Sequence, residues 1–177
     1  EEVIQHAEAW PNGPGQSGGF DIALNLGDFS GSQLPPDDEE GELVVSQYAS
    51  AKHHGREHFY DVIGNHDASG VGEPTQWWFK KWIDPTGSNP EFSQVDNSKR
   101  PYPATGTWEN YSFEVGNIVF LMLADRNDGG PPIGRGDFGG YPAGAVSEET
   151  FQWWVQKISE NRGKIVITAH HHMVKGT

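Results

Sequence analysis

The sequence predicts a mixed α/β fold, because segments typical of strands alternate with segments typical of helices along the chain. Residues 20–26, 59–63 and 164–169 form near-continuous apolar runs, the pattern of strands covered on both faces. Each run leads into residues of the types that commonly bind metals, namely Asp28, Asn65-His66-Asp67 and His170-His171-His172. Open α/β sheets place their sites beyond the carboxyl ends of the strands, so the pattern predicts a metal site at one sheet edge.

The composition narrows the class of protein. The chain has 177 residues, enough for one sizeable core, and we predict a single domain over residues 1–177. Cysteine is absent, so any metal is held by oxygen and nitrogen ligands. The formal net charge of −13 argues against a nucleic-acid-binding patch and against an anionic membrane as partner. No apolar stretch approaches membrane-spanning length, and a secreted or periplasmic location is compatible with the sequence.

The first elements follow from apolar spacing and composition. Residues 1–10 resemble the end of an amphipathic helix. The strand over 20–26 comes next, followed by a proline-rich and acidic loop over 34–42 and a helix over about 43–52. Residues 59–63 then return as a strand that ends at a glycine.

The middle of the chain is rich in tryptophan. Residues 75–83 predict a short helix with Trp78 and Trp82 packed inward. Residues 84–107 contain many Pro, Gly, Ser and Asn residues, so we predict a long segment without regular structure.

The last third predicts a hairpin, a helix and a strand. Residues 111–123 alternate, turn at Gly116-Asn117 and continue as an apolar run, which is typical of a hairpin. Residues 127–145 hold too many Gly and Pro residues for regular structure. Ser147 is placed to cap a helix, and the strand over 164–169 follows that helix. The core-facing stripe of the helix is expected to consist of apolar residues at helical spacing: Phe151, Trp154, Val155 and Ile158.

Three blocks occur in the order found in one known family. Gly27-Asp28, then Gly64-Asn65-His66-Asp67, then a histidine after a strand resemble the signature of calcineurin-like metallophosphoesterases. The resemblance implies a four-layer α/β/β/α sandwich that hydrolyses phosphate esters with two divalent metal ions (Mn, Fe, Zn or Mg). The family's Asp-x-His and Gly-His-x-His blocks do not occur here. We therefore expect a fragment, incomplete at both ends, whose missing segments of the same polypeptide complete the site.

The resemblance also implies a role for each matching residue. Asp28 would bridge the two ions, and Asn65 would bind one of them through its side-chain oxygen. His66 would lie beside the ions, steady the phosphoryl oxygens and protonate the leaving group. Asp67 would hydrogen-bond His66 and fix its tautomer and orientation.

The histidine tract offers more than one metal ligand. His170 is our first choice, because it is the first histidine after the strand. His171 is the second choice and can instead face the substrate phosphate, and His172 has no expected role. Asp28, Asn65 and His170 would hold one ion and leave the other with Asp28 alone. We therefore expect weak metal binding and little turnover from this chain by itself.

Other functions fit parts of the sequence. A non-catalytic remnant of the same fold that binds metal or a partner is the main alternative. His54-Gly55-Arg56-Glu57-His58 matches an inverted zinc-peptidase motif, but that chemistry needs one continuous helix, which Gly55 and the strand starting at Phe59 disfavour. The acidic run over 37–42 is more typical of a solvated loop than of a calcium site. Monoester and diester substrates both stay open.

Overall fold

Two β-sheets and the helices around them make up the described part of the chain, so the α/β class is confirmed. The computed structural model describes residues 2–10, 19–32, 34–70, 73–124 and 146–171. The prediction for residues 127–145 and the one for His172 lie outside these residues. None of the described helices is both long enough and apolar enough to cross a membrane.

The first sheet is small and parallel. Helix α1 (Glu2–Ala9) precedes strand β1 (Ala23–Asn25), and helix α2 (Asp38–Ala49) connects β1 to strand β2 (Phe59–Asp61). Ala23 pairs with Phe59 and Asn25 with Asp61. Both strands are shorter than predicted, because the chain leaves the ladder early to form the loops that carry the polar residues.

Helix α2 begins earlier than predicted. Residues 38–42, predicted to lie in a loop, form the first turns of the helix. Asp37 caps this helix: its carboxylate accepts from the Glu40 N–H at 3.0 Å, and the Glu40 carboxylate accepts from the Asp37 N–H. The acidic run is therefore a capping box at the positive end of a helix.

The segment from 75 to 107 is more ordered than predicted. Residues Phe79–Ile83 form a π-helical turn, and Trp78 and Trp82 are buried as expected. Within 84–107, predicted to be irregular, lie helix α3 (Pro90–Ser93) and strand β3 (Thr105–Gly106). The order comes from Asp84, whose carboxylate accepts from the Ser88 and Asn89 N–H groups and the Ser93 hydroxyl. Local hydrogen bonds of this kind replace the missing apolar pattern.

The second sheet contains the predicted hairpin. Strands β4 (Asn110–Val115) and β5 (Ile118–Leu123) are antiparallel and turn at Gly116, which has a φ of 58°. Helix α4 (Glu148–Glu160) begins after Ser147, which accepts from the Thr150 N–H as an N-cap. Strand β6 (Ile165–His170) pairs in parallel with β5, giving the order β3-β4-β5-β6.

The stripe predicted for α4 is partly wrong. Phe151 and Val155 are exposed, whereas Trp154 and Ile158 pack against the second sheet with Trp153. The buried face is rotated because Thr150 lies against Glu109, whose carboxylate accepts from both the Ser147 and Thr150 hydroxyls. A polar anchor therefore sets the orientation of this helix.

Apolar side chains form three clusters between the elements. The first lies between the first sheet and α2 with the π-helical turn, and the third lies between the second sheet and α4. The second cluster joins the two sheets, where Tyr60 stacks on Phe113 with ring centres 3.9 Å apart. In this region the Tyr111 hydroxyl also donates to the Asp61 carbonyl at 2.8 Å. The two sheets are thereby fixed relative to each other, which positions the loops at their carboxyl ends.

Candidate metal centre

The loops after β1, β2 and β6 bring together three side chains. The Nε2 atom of His171 lies 2.9 Å from the Asn65 Oδ1 atom and 3.3 Å from the Asp28 Oδ2 atom. The sequence prediction preferred His170, but His171 is the histidine that contacts Asp28 and Asn65. The reason is geometric: His170 is still part of strand β6, paired with Leu123, whereas His171 follows the strand and reaches the Leu26 carbonyl after β1.

The other nitrogen of the same ring faces a third oxygen. The His171 Nδ1 atom lies 2.6 Å from the Leu26 carbonyl oxygen. An Nδ1–H group donates there, which leaves a lone pair on Nε2 opposite the Asn65 and Asp28 oxygens. Rotation of the Asn65 amide would change one of these contacts, but the Asp28 carboxylate remains an acceptor. The cluster therefore needs an extra proton or a cation between its acceptor atoms.

The distances from the His171 Nε2 atom to the two oxygens fit a cation. Neighbouring ligands that lie about 2.0–2.2 Å from one ion are separated by about 3.0–3.5 Å in octahedral or tetrahedral geometry. The contacts at 2.9 and 3.3 Å are close to this range. Carboxylate, amide oxygen and imidazole are all ordinary ligands of divalent metals. The described residues contain no group of three or more His, Asp or Glu side chains arranged to hold a metal, so an amide ligand is essential to this set.

Asp28 adopts an unusual backbone conformation. Its φ of 59° is in the left-handed region, which an aspartate tolerates better than most residues. The Asp28 Oδ1 atom accepts from the His66 N–H at 2.9 Å, which leaves Oδ2 facing His171. A non-glycine residue held in this region indicates that the surrounding loop determines its conformation.

Asp67 performs a different task from the predicted one. Its buried carboxylate accepts from four backbone N–H groups, those of Asp28, Phe29, Ser30 and Gly64, at 2.8 to 3.2 Å. Burial, with the nearby Asp28 charge, raises the pKa of Asp67 to about 6, although the N–H groups oppose this rise. The prediction that Asp67 orients His66 is wrong. Asp67 instead fastens the loop after β1 to the loop after β2.

His66 is oriented by a backbone group. Its Nδ1 atom lies 2.9 Å from the Ser32 carbonyl oxygen. An Nδ1–H group donates to that oxygen, so the Nε2 atom carries the lone pair or the exchangeable proton. The side chain is half-buried beside Asn65 and Asp28. His66 therefore lies next to the candidate metal centre, with its backbone N–H on Asp28 and its Nδ1 atom on Ser32.

Two glycines allow the loops to touch. Gly27 has a φ of 97°, and a Cβ atom there would collide with the backbone of Gly64. A Cβ atom on Gly64 would lie 2.5 Å from the Asp28 nitrogen and 3.0 Å from the His171 Cε1 atom, and closer still to the Asp28 Oδ1 atom. The two loops pack backbone against backbone, so the glycine of each motif is a steric requirement of the site.

A buried polar network that the sequence patterns did not predict supports the turn that carries Asp28. The Gly27 N–H donates to Asn25 Oδ1 at 3.0 Å, and Asn25 Nδ2 donates to the Tyr48 hydroxyl at 3.4 Å. The Tyr48 hydroxyl donates to Asp61, which also forms a 2.7 Å ion pair with Arg56. Burial raises the pKa of Tyr48, so the hydroxyl keeps its proton. The available signal was the presence of Asn25 and Asp61 inside apolar runs.

A cavity lies beside this turn. It has a volume of about 250 Å³ and is lined by polar side chains of β1, α2 and the loop after β1, namely Asn25, Asp28, Gln47 and Tyr48, together with Ile4, Phe29 and Val44.

Comparison with known proteins adds nothing to this geometry. No family model, curated protein or solved structure matches the chain. The arrangement of side chains is therefore the basis for any functional argument.

Proposed function

We propose that this chain carries part of the active site of a metal-dependent phosphoesterase of the calcineurin-like type. The observation that carries the proposal is the convergence of three side chains beyond the carboxyl ends of three strands: Asn65 Oδ1 and Asp28 Oδ2 lie 2.9 and 3.3 Å from His171 Nε2. Acceptor atoms this close to one another are favourable only with a cation or an extra proton between them, and a bound metal ion supplies that charge. The order of the motifs along the sequence supports the same interpretation.

The packing supports the finer fold that this proposal requires. One cluster lies between helices and the first sheet, the next between the two sheets, and the last between the second sheet and α4. We propose that these clusters are the three interfaces of a four-layer α/β/β/α sandwich. In that architecture the loops after β1, β2 and β6 share one edge, as the candidate metal centre requires.

Each residue has a role in the proposed reaction. Asp28, Asn65 and His171 would hold divalent ions (Mn, Fe, Zn or Mg), with His170 close by in the chain. Two such ions, when bound, supply a strong nucleophile at neutral pH and neutralise charge on the phosphoryl group. His66 would donate a hydrogen bond to a phosphoryl oxygen and a proton to the departing alkoxide. Asp67 would keep the two ligand-bearing loops together through its four backbone contacts.

A non-catalytic metal-binding domain is the second candidate. It is favoured by the small number of ligands in the described residues, where a single carboxylate, one amide and one imidazole converge. This candidate shares the metal centre with the first but gives His66 no task. The two proposals therefore differ in a single side chain that can be replaced.

The test is hydrolysis of p-nitrophenyl phosphate and bis(p-nitrophenyl) phosphate with added Mn²⁺ or Zn²⁺, on protein of verified intact mass. We expect low turnover that requires metal. His66→Gln should lower it about 100-fold or more on an alkyl ester such as glycerol 2-phosphate, the range of general-acid catalysis, and less on the p-nitrophenyl esters, whose phenolate departs without a proton. His53→Gln, which changes an exposed histidine outside the site, is the matched control. Metal binding that persists without turnover in the wild type would support the non-catalytic domain. Loss of this activity in His54→Ala with full activity in His66→Gln would contradict the proposal and move the reacting group to the His54 motif.

A further inference from the structure

A second pair of histidines meets just before β2. The rings of His54 and His58 have centres 5.0 Å apart and planes at 89°. These residues are the two ends of the inverted zinc-peptidase motif described above. The motif does not form a continuous helix, since Arg56–His58 is a single 3₁₀ turn followed by the strand. The turn nevertheless brings both imidazoles together.

In both rings the Nδ1 atom faces an oxygen acceptor. His54 Nδ1 lies 2.8 Å from the Glu8 carboxylate, and His58 Nδ1 lies 2.9 Å from the Asp21 carbonyl oxygen. An Nδ1–H group donates in each case, so each Nε2 atom presents a lone pair. Metal-binding histidines show this arrangement, in which a carboxylate or carbonyl fixes the tautomer and leaves the other nitrogen for the metal.

The His54 ring is also held in place by its surroundings. Phe20 stacks on it, with ring centres 4.2 Å apart. The Glu8 carboxylate that contacts the ring accepts in addition from the N–H groups of Lys52, His53 and His54. The His54 side chain is 14% exposed, so it is accessible but well packed. A ring held on two sides loses little entropy when it binds a ligand.

We propose that His54 and His58 form a binding site for a late transition-metal ion such as Zn²⁺, Ni²⁺ or Cu²⁺, separate from the Asp28 centre. Imidazole nitrogen is a preferred ligand of these ions. Two imidazoles that bind a tetrahedral ion through Nε2, at about 2.0–2.1 Å, have ring centres roughly 5 Å apart. The observed separation of 5.0 Å agrees with this distance. Water completes the coordination, because the pair supplies two ligands.

The experiment counts nitrogen ligands on one added ion. Asp28→Ala/His171→Ala removes the candidate metal centre, and this double variant, checked for native circular dichroism, is titrated with Cu²⁺ and then with Zn²⁺. We expect one site with two imidazole nitrogens in the Cu²⁺ electron paramagnetic resonance spectrum. Adding His58→Ala is expected to lower the affinity about tenfold or more. His53→Ala, the neighbouring exposed histidine, is the matched control and is expected to leave it unchanged.

Two results would overturn the proposal. One is an unchanged affinity in His58→Ala, and the other is a spectrum with fewer than two nitrogens. If His58→Ala alters the fold, His58→Gln keeps the size and polarity of the side chain and is tested in the same way. Calorimetric Zn²⁺ binding that His53→Ala weakens as much as His58→Ala would assign the ion to a surface histidine tract and would also refute the paired site.

Discussion

Gly64→Ala tests whether the contact between the two glycine loops creates the candidate metal centre. Gly64 has a φ of −103° and a ψ of −178°, which any residue adopts, so the substitution brings no backbone strain. Its effect is purely steric. The added Cβ would lie 2.5 Å from the Asp28 nitrogen, a backbone atom that Asp67 holds in place through a hydrogen bond. The loop after β1 must therefore move as a unit by about 1 Å to restore ordinary contact distances.

The loss of stability and of metal affinity follows from the displacement of the loop after β1. Overpacking a filled interior costs about 1–3 kcal/mol, and the upper end applies because the clashing atoms belong to a hydrogen-bonded backbone. We expect Gly64→Ala to lower the free energy of unfolding by about 3 kcal/mol in urea titrations with chelator present. Mn²⁺ or Zn²⁺ affinity should fall at least about 100-fold. The reason is that Asp28 shifts away from His171, and a displacement of about 1 Å is enough to spoil the arrangement of the ligands.

The matched control is Gly31→Ala, where a Cβ atom would meet nothing within 4 Å. We expect this variant to stay within about 0.5 kcal/mol of the wild type and to bind metal normally. A Gly64→Ala protein with wild-type stability and metal affinity would show that the loops do not pack against each other as described. The candidate metal centre would then have to be abandoned in its present form.

Three further predictions concern other parts of the molecule. Burial alone would raise the pKa of Glu8, but its hydrogen bonds to Lys52, His53 and His54 lower it from 4.5 to about 2. Its carboxylate therefore stabilises the fold above pH 4.5 and loses this effect as the pH falls through about 2. The difference in unfolding free energy between the wild type and Glu8→Gln should narrow over that pH range. Arg56→Met leaves the Asp61 carboxylate buried without its guanidinium partner, and we expect a loss of about 3–5 kcal/mol in urea unfolding; a loss below about 1 kcal/mol would contradict the buried ion pair. Saturating Zn²⁺ or Mn²⁺ at 100 times its dissociation constant should stabilise the wild type by about 2.7 kcal/mol, and an equal shift in the melting temperature of His171→Ala would exclude His171 as a ligand.

The parts of the fold that depend on local chemistry could be predicted from the sequence. The hairpin turn at Gly116-Asn117 and the Ser147 cap depend on neighbouring residues only, and the structure contains both. The buried face of α4 could not be predicted, because Glu109, which is distant in the sequence, anchors Thr150 and rotates the helix. Asp84 ordered a segment that composition alone assigned to a loop.

The same distinction applies to the candidate site. Sequence motifs indicated Asp28 and Asn65, because each follows a strand directly. Whether His170 or His171 reaches them depends on how the second sheet packs against the first, which no local pattern encodes. The role of Asp67 depends on the separation of two loops that are distant in the sequence. The sequence could identify the ligand types but not their mutual contacts.

The two proposed metal sites differ in how well they could bind an ion in the denatured chain. The reason is that their ligands are separated by very different lengths of sequence. His171 meets the Leu26 carbonyl 145 residues earlier in the chain. In the denatured chain an ion would have to close a loop of that size, at an entropic cost of about 4–5 kcal/mol. Binding at Asp28 and His171 should therefore be confined to the folded protein and should add nearly its full free energy to stability. His54 and His58 are only four positions apart. An ion held there could also bind the denatured chain, although without the help of Glu8 and Phe20, and should raise the melting temperature less.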